Sequence, residues 1–187
     1  MVIIGVTGTL CSGKGVIVEF FKKKGFVSIS LSDILREEAN INNIELTREN
    51  LQKLGNLIRE KHGSGVLAVL ALEKVKDKDN VIIESIRNPG EVEVLKNNKN
   101  FKLIGVNAPR ELRIERLLKR YNESSRKEDP ISREEIINKI DIDEGKNQSS
   151  SGQQVIECLK MIDFYILNDR DLDYMHEELE KFFKELN

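Results

Sequence analysis

Cysteine and histidine are scarce in this 187-residue chain, with two of each. Cys11 and Cys158 are far apart, one in a glycine-rich loop and one in an apolar helical stretch, so neither a disulfide framework nor a thiolate zinc site is supported. His62 and His176 have no partners at ligand spacing, which speaks against a histidine metal centre. Long apolar runs are missing too. The longest, GVLAVLAL at 65–72, is far too short to cross a bilayer, and the amino terminus has no basic flank of a signal peptide. A cytoplasmic protein without a membrane partner is therefore expected. Nor is there an excess of either charge: 30 Lys and Arg stand against 32 Asp and Glu, with a pI near 5.9. That balance argues against a chain-wide electrostatic grip on nucleic acid, so any basic site must be local.

What is present suits a soluble globular chain, with 39% hydrophobic and 33% charged residues. The length allows one well-buried core and is short for two, so a single domain over residues 1–187 is expected. Short β-branched or apolar runs recur as VIIGV (2–6), FVSISL (26–31), VIIE (81–84), FKLIGV (101–106) and FYIL (164–167), with helical periodicity between them. Strands alternating with helices predict an α/β fold with a five-stranded parallel sheet covered on both faces. Thr47 opens a helical stretch through Lys61, Ser64 precedes VLAVLALEKV, Pro109 suits a first helical turn, and Ser132 with Glu135 makes a capping box. Two regions interrupt the alternation. Residues 32–78 place helices between the second and third strands, and residues 121–152 form a polar stretch ending in NQSSSGQQ. The first reads as an inserted helical region. The second reads as a mobile flap with its own short helix, because it has little apolar surface to bury.

The stretch GTLCSGKG (8–15) has the glycine spacing and lysine of a Walker A phosphate-binding loop. Gly8 and Gly13 permit close backbone approach, successive N–H groups and the helix amino terminus face an anion, and Lys14 bridges the outer phosphates. A plain glycine turn between a strand and a helix is the bland alternative. Position favours the phosphate loop: the motif follows a buried first strand and opens a helix bearing Val16, Val18, Phe20 and Phe21. Gly15 stands where the usual pattern has a serine or threonine that holds magnesium.

A phosphate loop whose lysine is followed by glycine resembles the adenylate kinase type within the P-loop nucleoside monophosphate kinase family, where magnesium is held mainly through water and the phosphates. Val16 replaces that family's common threonine and removes one hydroxyl donor. LSDILREE (31–38) looks like the family segment in which an aspartate, and an arginine three residues on, follow the second strand. Asp33 and Arg36 fall on one face of the first helical turn, an ordinary surface ion pair being the alternative. VIIESIRNP (81–89) resembles the third strand, whose terminal carboxylate holds a magnesium-bound water and whose following arginine grips the acceptor phosphate. Glu84 and Arg87 take those places, and a glutamate ending a buried strand is costly unless a cation meets it. On PRELRIERLLKRY (109–121), Arg113, Arg116 and Arg120 share one side while Leu112, Leu117, Leu118 and Tyr121 can face the core. The resemblance makes Arg116 and Arg120 the groups that neutralise the transferred phosphoryl; a solvated stripe paired with Glu111 and Glu115 is the alternative.

Further along, KIDIDEGKNQ offers only Lys139 and Lys146 where adenylate kinases carry arginines on the lid's return limb, with Arg126 and Arg133 earlier. Lysine cannot reproduce a bidentate fork. DFYILND (163–169) resembles the fifth strand and purine-contacting loop, with Asn168 and Asp169 as base-binding candidates. Taken whole, the chain is similar to the archaeal adenylate-kinase-related proteins and to the kinase-like domain attached to deoxycytidylate deaminases, sharing TGTLCSGKG, LSDILREE, ESIRNP and SGQQV (151–155). The deaminase signature itself, His-x-Glu with a later Pro-Cys-x-x-Cys, is absent.

The resemblance implies a P-loop kinase fold and an ATP-dependent phosphotransferase acting on a nucleoside or deoxynucleoside monophosphate, with ATP and Mg2+ as cofactors. The acceptor is then a small-molecule nucleotide, and no nucleic-acid partner is expected. The implied catalytic residues are Lys14, Arg116, Arg120 and Asp33. The implied ATP-binding set is Gly8, Thr9, Cys11, Ser12, Gly13, Lys14, Gly15, Val16, Arg116 and Asn168. Asp33, Arg36 and Arg87 would bind the acceptor, and Glu84 with Asp33 would hold the metal through water. A phosphate acceptor, with a second pKa of about 6, is already ionised, so alignment and charge stabilisation suffice. Transfer to a hydroxyl, as in dephospho-coenzyme A kinase, would instead make Asp33 a general base. A non-catalytic nucleotide-sensing module is the reading from another class, motivated by Val16 and the arginine-poor return limb. The helical insertion and the flap are expected to close over bound substrates. No residue distinguishes purine from pyrimidine or ribose from deoxyribose, and oligomeric state is unreadable.

Overall fold

A computed structural model describes residues 2–123 and 132–186. Five strands, β1 (Val2–Gly8), β2 (Val27–Ser30), β3 (Asn80–Ile86), β4 (Phe101–Asn107) and β5 (Phe164–Leu167), form one sheet in the order β2-β3-β1-β4-β5, every pair parallel. The period-2 alternation of strand side chains divides the core into two layers. Ile3, Val81, Ile83 and Leu103 face one side, under α2 (Leu31–Ile41), α3 (Arg48–His62), α4 (Val66–Val75), α5 (Pro89–Lys96) and α8 (Val155–Leu159). Ile4, Val6, Ile82, Ile104, Val106 and Ile166 face the other, under α1 (Lys14–Lys23) and α9 (Leu172–Glu185). Phe21 of α1 is fully buried there and meets Phe26 edge-on at 5.0 Å between ring centres. Burying such a ring contributes about 1.5–3 kcal/mol.

The remaining helices are α6 (Arg110–Glu123) and α7 (Arg133–Glu144), the latter starting on the expected Ser132–Glu135 capping box. The polar composition of 121–152 hides an apolar stripe. Ile136 and Ile140 of α7 are fully buried against Ile114 and Leu117 of α6 and against Leu10 of the glycine loop. The described part of the flap is therefore docked rather than lacking a core: Ile136 and Ile140, with half-buried Ile137 beside them, are enough to seat a 12-residue helix. Past α7, the polar run is tied down by its backbone. Asn88 donates through Nδ2 to the carbonyls of Ser150 and Gly152 at 2.8 and 2.9 Å, and Gln154 N–H donates to the Arg87 carbonyl at 2.7 Å.

Glu84 does not end its strand. Between Gly5 and Thr7, β1 advances two residues while β3 advances three, from Ile83 to Ile86, so β3 carries a bulge at Glu84–Ser85. Ser85 adopts φ 63°, a left-handed conformation uncommon outside glycine, asparagine and aspartate. Two helix starts also move by a residue: α6 opens at Arg110, after Pro109, and α4 is capped by Gly65 rather than Ser64.

A buried ion pair joins α3 of the insertion to α5 behind β3. The Glu91 carboxylate, fully buried, accepts from Arg59 Nε at 2.9 Å and from the Arg87 and Asn88 N–H groups at 2.8 and 3.1 Å. Glu91→Ala strands the buried Arg59 charge and should cost about 3–5 kcal/mol. Urea unfolding checks this; a loss below about 1 kcal/mol would show that Arg59 finds another partner.

Candidate active site

The glycine loop lies between β1 and α1, at the carboxyl ends of the strands, where open parallel sheets place their ligands. Two glycines are required there by geometry. At Gly8 a Cβ would stand 2.2 Å from the Val106 carbonyl oxygen, and at Gly13, with φ 103°, 2.2 Å from Asn168 Nδ2. Lys14 donates through Nζ to the carbonyls of Gly8 and Thr9 at 2.6 and 2.8 Å, which leaves one of its three N–H groups. Burial, opposed by Asp143 and reinforced by Arg87, lowers its pKa from 10.5 to about 8.

A cleft of about 960 Å³ opens from this loop to the end of β3. Its walls bring together Lys14, Asp33, Arg36, Glu84, Arg87, Arg116 and Arg120, seven of the residues singled out in the sequence, with Cys11, Ser12, Gly13 and Gly15 of the loop. Arg48 completes a set of six cationic side chains against two carboxylates, a field suited to a polyanion. Arg36 pairs with Asp33 at 2.8 Å on an exposed helical turn, so the ordinary ion pair and the cleft placement are both real. Glu84 has its pKa raised, first by burial and then by the nearby charge of Asp33. A buried carboxyl beside a second carboxylate suits a divalent cation held through water, so these residues fit magnesium. A Cβ at Gly15 would meet nothing within 4 Å, so the missing Walker hydroxyl is a matter of chemistry, not of space.

The rest of the implied ATP-binding set lies behind the cleft wall. Thr9 is fully buried and its hydroxyl donates to Asn107 Oδ1 at 2.7 Å, fastening the loop to β4. Gly8 abuts β4, and Val16 packs into the core layer beneath α1. Asn168 is not an exposed base contact. It is buried, donates to the Ser12 carbonyl at 2.8 Å, and accepts from Arg116 Nη2 at 3.3 Å. Arg113 is likewise not on the cleft side of α6: it is 4% exposed and reaches the Ala108 carbonyl and Glu144. Its long side chain satisfies a helix start instead of solvent. Lys146 pairs with Asp141 at 2.9 Å in solvent and does not line the cleft, and Arg126 lies outside the described residues.

Sequence reasoning missed the buried carboxylate of Asp143. From α7 it accepts the Leu10 N–H at 2.9 Å and faces Arg87 Nη1 at 3.7 Å. The available signal was its register. Residues 136, 140 and 143 share one helical face, so a carboxylate falls on an apolar stripe, where it needs donors. Arg48 and Gln153 were also missed; Gln153 accepts from Arg87 Nη1 at 3.2 Å. Beside the cleft, Ser32, Ser85, Arg36 and Arg87 also line a small pocket floored by Leu31, Leu35, Leu51 and Leu67. Ser30, Ser32 and Ser85 hydrogen-bond one another there at 2.9–3.3 Å.

Residues 4–138 match the model of the AAA domain family. A UPF0200 protein of Pyrococcus abyssi is 31% identical over 98% of this chain and 96% of its own length, and one of Sulfurisphaera tokodaii is 31% identical over 98% and 97%. Among solved structures, dephospho-CoA kinase from Campylobacter jejuni superposes with a TM-score of 0.51 at 19% identity, covering 99% of this chain and 97% of that one. Shikimate kinase from Bacteroides thetaiotaomicron superposes at 0.55 and 14%, covering 99% and 98%. The fold is that of the P-loop kinases. Among the described residues no helix is long and apolar enough to cross a membrane.

The depressed Lys14 pKa has a definite sign. Between pH 8 and 10.5 the ligand-free folded chain binds fewer protons than the unfolded one, so its stability rises with pH there. A polyphosphate beside the ammonium restores the charged form, so binding takes up a proton and weakens as pH climbs through about 8. Calorimetry with ATP in buffers of different ionisation heat reads the uptake. Affinity that is flat from pH 7 to 9.5, or a Lys14→Met variant with an unchanged profile, would contradict it.

Proposed function

This chain belongs to the UPF0200 family, and from that premise we propose that it is an ATP-dependent phosphotransferase that moves the γ-phosphoryl group to a nucleoside or deoxynucleoside monophosphate. The observation that carries the proposal is the shared wall of the cleft and the pocket: Arg36 and Arg87 line both, between the loop that would hold a triphosphate and a recess that would hold an acceptor. The likeness of LSDILREE and ESIRNP to nucleoside monophosphate kinases supports the assignment of the acceptor.

In this reading the loop amides and Lys14 hold the β- and γ-phosphates of ATP. Arg36 and Arg87 turn an acceptor phosphate oxygen toward the γ-phosphorus, in line with the leaving bridge oxygen. A bond forms between that oxygen and phosphorus as the β–γ bridge breaks, and ADP leaves with the bridging oxygen. The acceptor oxygen is already ionised, so no side chain has to take a proton. Arg116 and Arg120 meet the charge spread over the moving group, which fixed guanidinium groups stabilise better than water does. Magnesium, held through water by Asp33 and Glu84, would supply further neutralisation of phosphate charge.

Transfer to a hydroxyl is the second reading, favoured by one observation: Asp33 lines the cleft close enough to Glu84 for its charge to raise that carboxyl's pKa, a place from which it can serve as the general base. The two readings separate at the carboxylates. With a phosphate acceptor, Asp33→Asn retains turnover; with a hydroxyl acceptor it abolishes the chemical step across the pH range.

A coupled assay over the common nucleoside and deoxynucleoside monophosphates should find at least one acceptor. Arg87→Ala should raise its KM by roughly tenfold to a hundredfold, the worth of one charge-assisted hydrogen bond. ATP turnover that stays flat with every acceptor overturns the proposal in favour of a nucleotide-sensing module.

A further inference from the structure

Three cavities adjoin along the carboxyl end of the sheet. Arg48 lines all of them: the 960 Å³ cleft, the small pocket of about 90 Å³, and a third chamber of about 520 Å³. Gln52 and Gln153 form the partition between the pocket and the chamber, lining both. The chamber lies between the start of α3, with Thr47, Arg48 and Gln52, and the α7 residues Asn138 and Lys139.

Size decides what the small pocket can hold. Sites for small organic ligands run from about 300 to 1,000 Å³, so 90 Å³ is too little for a nucleoside. The part of an acceptor behind its reacting phosphate must pass the two glutamines and enter the chamber, which by itself reaches the usual range. Among the described residues, no aromatic side chain lines the cleft, the pocket or the chamber, so a base is not stacked there. The chamber is cationic instead. Arg48 and Lys139 face its single carboxylate, Glu49, which already accepts from Lys53 at 2.6 Å. The amino end of the 15-residue α3 adds the positive end of its dipole.

Resting on the phosphotransferase reading, we propose that the chamber between α3 and α7 is the distal half of the acceptor site and receives a second anionic group of the acceptor, held by Arg48 and Lys139. The acceptor is then a phosphomonoester with a further phosphate remote from the reacting one, of the class of the nucleoside 3′,5′-bisphosphates. Gln153 links the two halves, since it lines the chamber while accepting from Arg87 at 3.2 Å. Seating of the distal anion therefore acts on the arginine that grips the reacting phosphate.

The test is calorimetric titration of AMP and of adenosine 3′,5′-bisphosphate into the full chain with its loop saturated by a non-hydrolysable ATP analogue. The bisphosphate should bind about tenfold tighter. Lys139→Gln should erase that preference, while Lys146→Gln, altering a solvent pair with Asp141, should keep it. Equal affinity for the two nucleotides, or a Lys139→Gln variant that weakens both alike, overturns the inference. So does selectivity among bases without any gain from the second phosphate, which would make the glutamines readers of a base edge. The two levels fail separately: bisphosphate preference without transfer from ATP leaves the chamber and removes the kinase, and transfer to AMP without preference does the reverse.

Discussion

The hydrogen bond from Leu10 N–H to the buried carboxylate of Asp143 holds the glycine loop to α7, and much of the site depends on it. A carboxylate that is 2% exposed is tolerated only where donors and cations surround it. Here they are the loop amide, the Arg87 guanidinium, and the Lys14 ammonium, whose protonated form Asp143 favours against the cost of burial. One side chain thus addresses the loop, the lysine and the arginine together. Around it, Leu10, Ile114, Leu117, Ile136 and Ile140 pack into a satellite core. The glycine loop is consequently fixed from two directions, by Thr9 and Asn168 on the β4–β5 side and by Asp143 on the α7 side.

A second constraint acts at the end of β3. The bulge at Glu84–Ser85 breaks the alternation that would otherwise send one of these two residues into a core layer, and both line the cleft instead. Ser85, held at φ 63°, then meets Ser30 and Ser32 across the sheet edge. Local backbone strain of this kind, of order 1–3 kcal/mol, persists only where the surroundings over-determine it. The surroundings here include the Arg87 and Asn88 amides locked onto Glu91 immediately downstream. Strand, bulge, arginine and helix cap form one continuous unit, and Arg87 is placed by its backbone as much as by its side-chain contacts.

Most of the scaffold was legible along the chain because its causes are local. Five apolar runs gave five strands within two residues at each end, the capping box at Ser132 starts α7, and Lys14 opens α1 as the loop pattern implies. Seven cleft residues were also legible: Lys14, Asp33 and Arg36 lie in the first two turns of α1 and α2, Glu84 and Arg87 bracket the end of β3, and Arg116 and Arg120 stand four apart on α6, placements that follow from short-range rules. Side-chain direction was not legible where a polar residue had two physically sensible uses. Asn168, Thr9 and Arg113 each satisfy buried backbone or side-chain groups, and sequence spacing does not say whether a polar side chain turns toward solvent, ligand or protein.

Short-range rules suffice for the layered α/β sheet, the phosphate-type loop and the cationic character of its mouth, because strand alternation, glycine tolerance and helical register act over a few residues. It takes long-range packing to pin the polar run after α7 to Asn88 and Arg87, to bring Asp143 to Leu10 across 133 positions, and to enclose a chamber between α3 and α7 beside the small pocket. Those contacts join residues far apart in the chain. Their energies depend on distance and burial in three dimensions, which no local periodicity encodes.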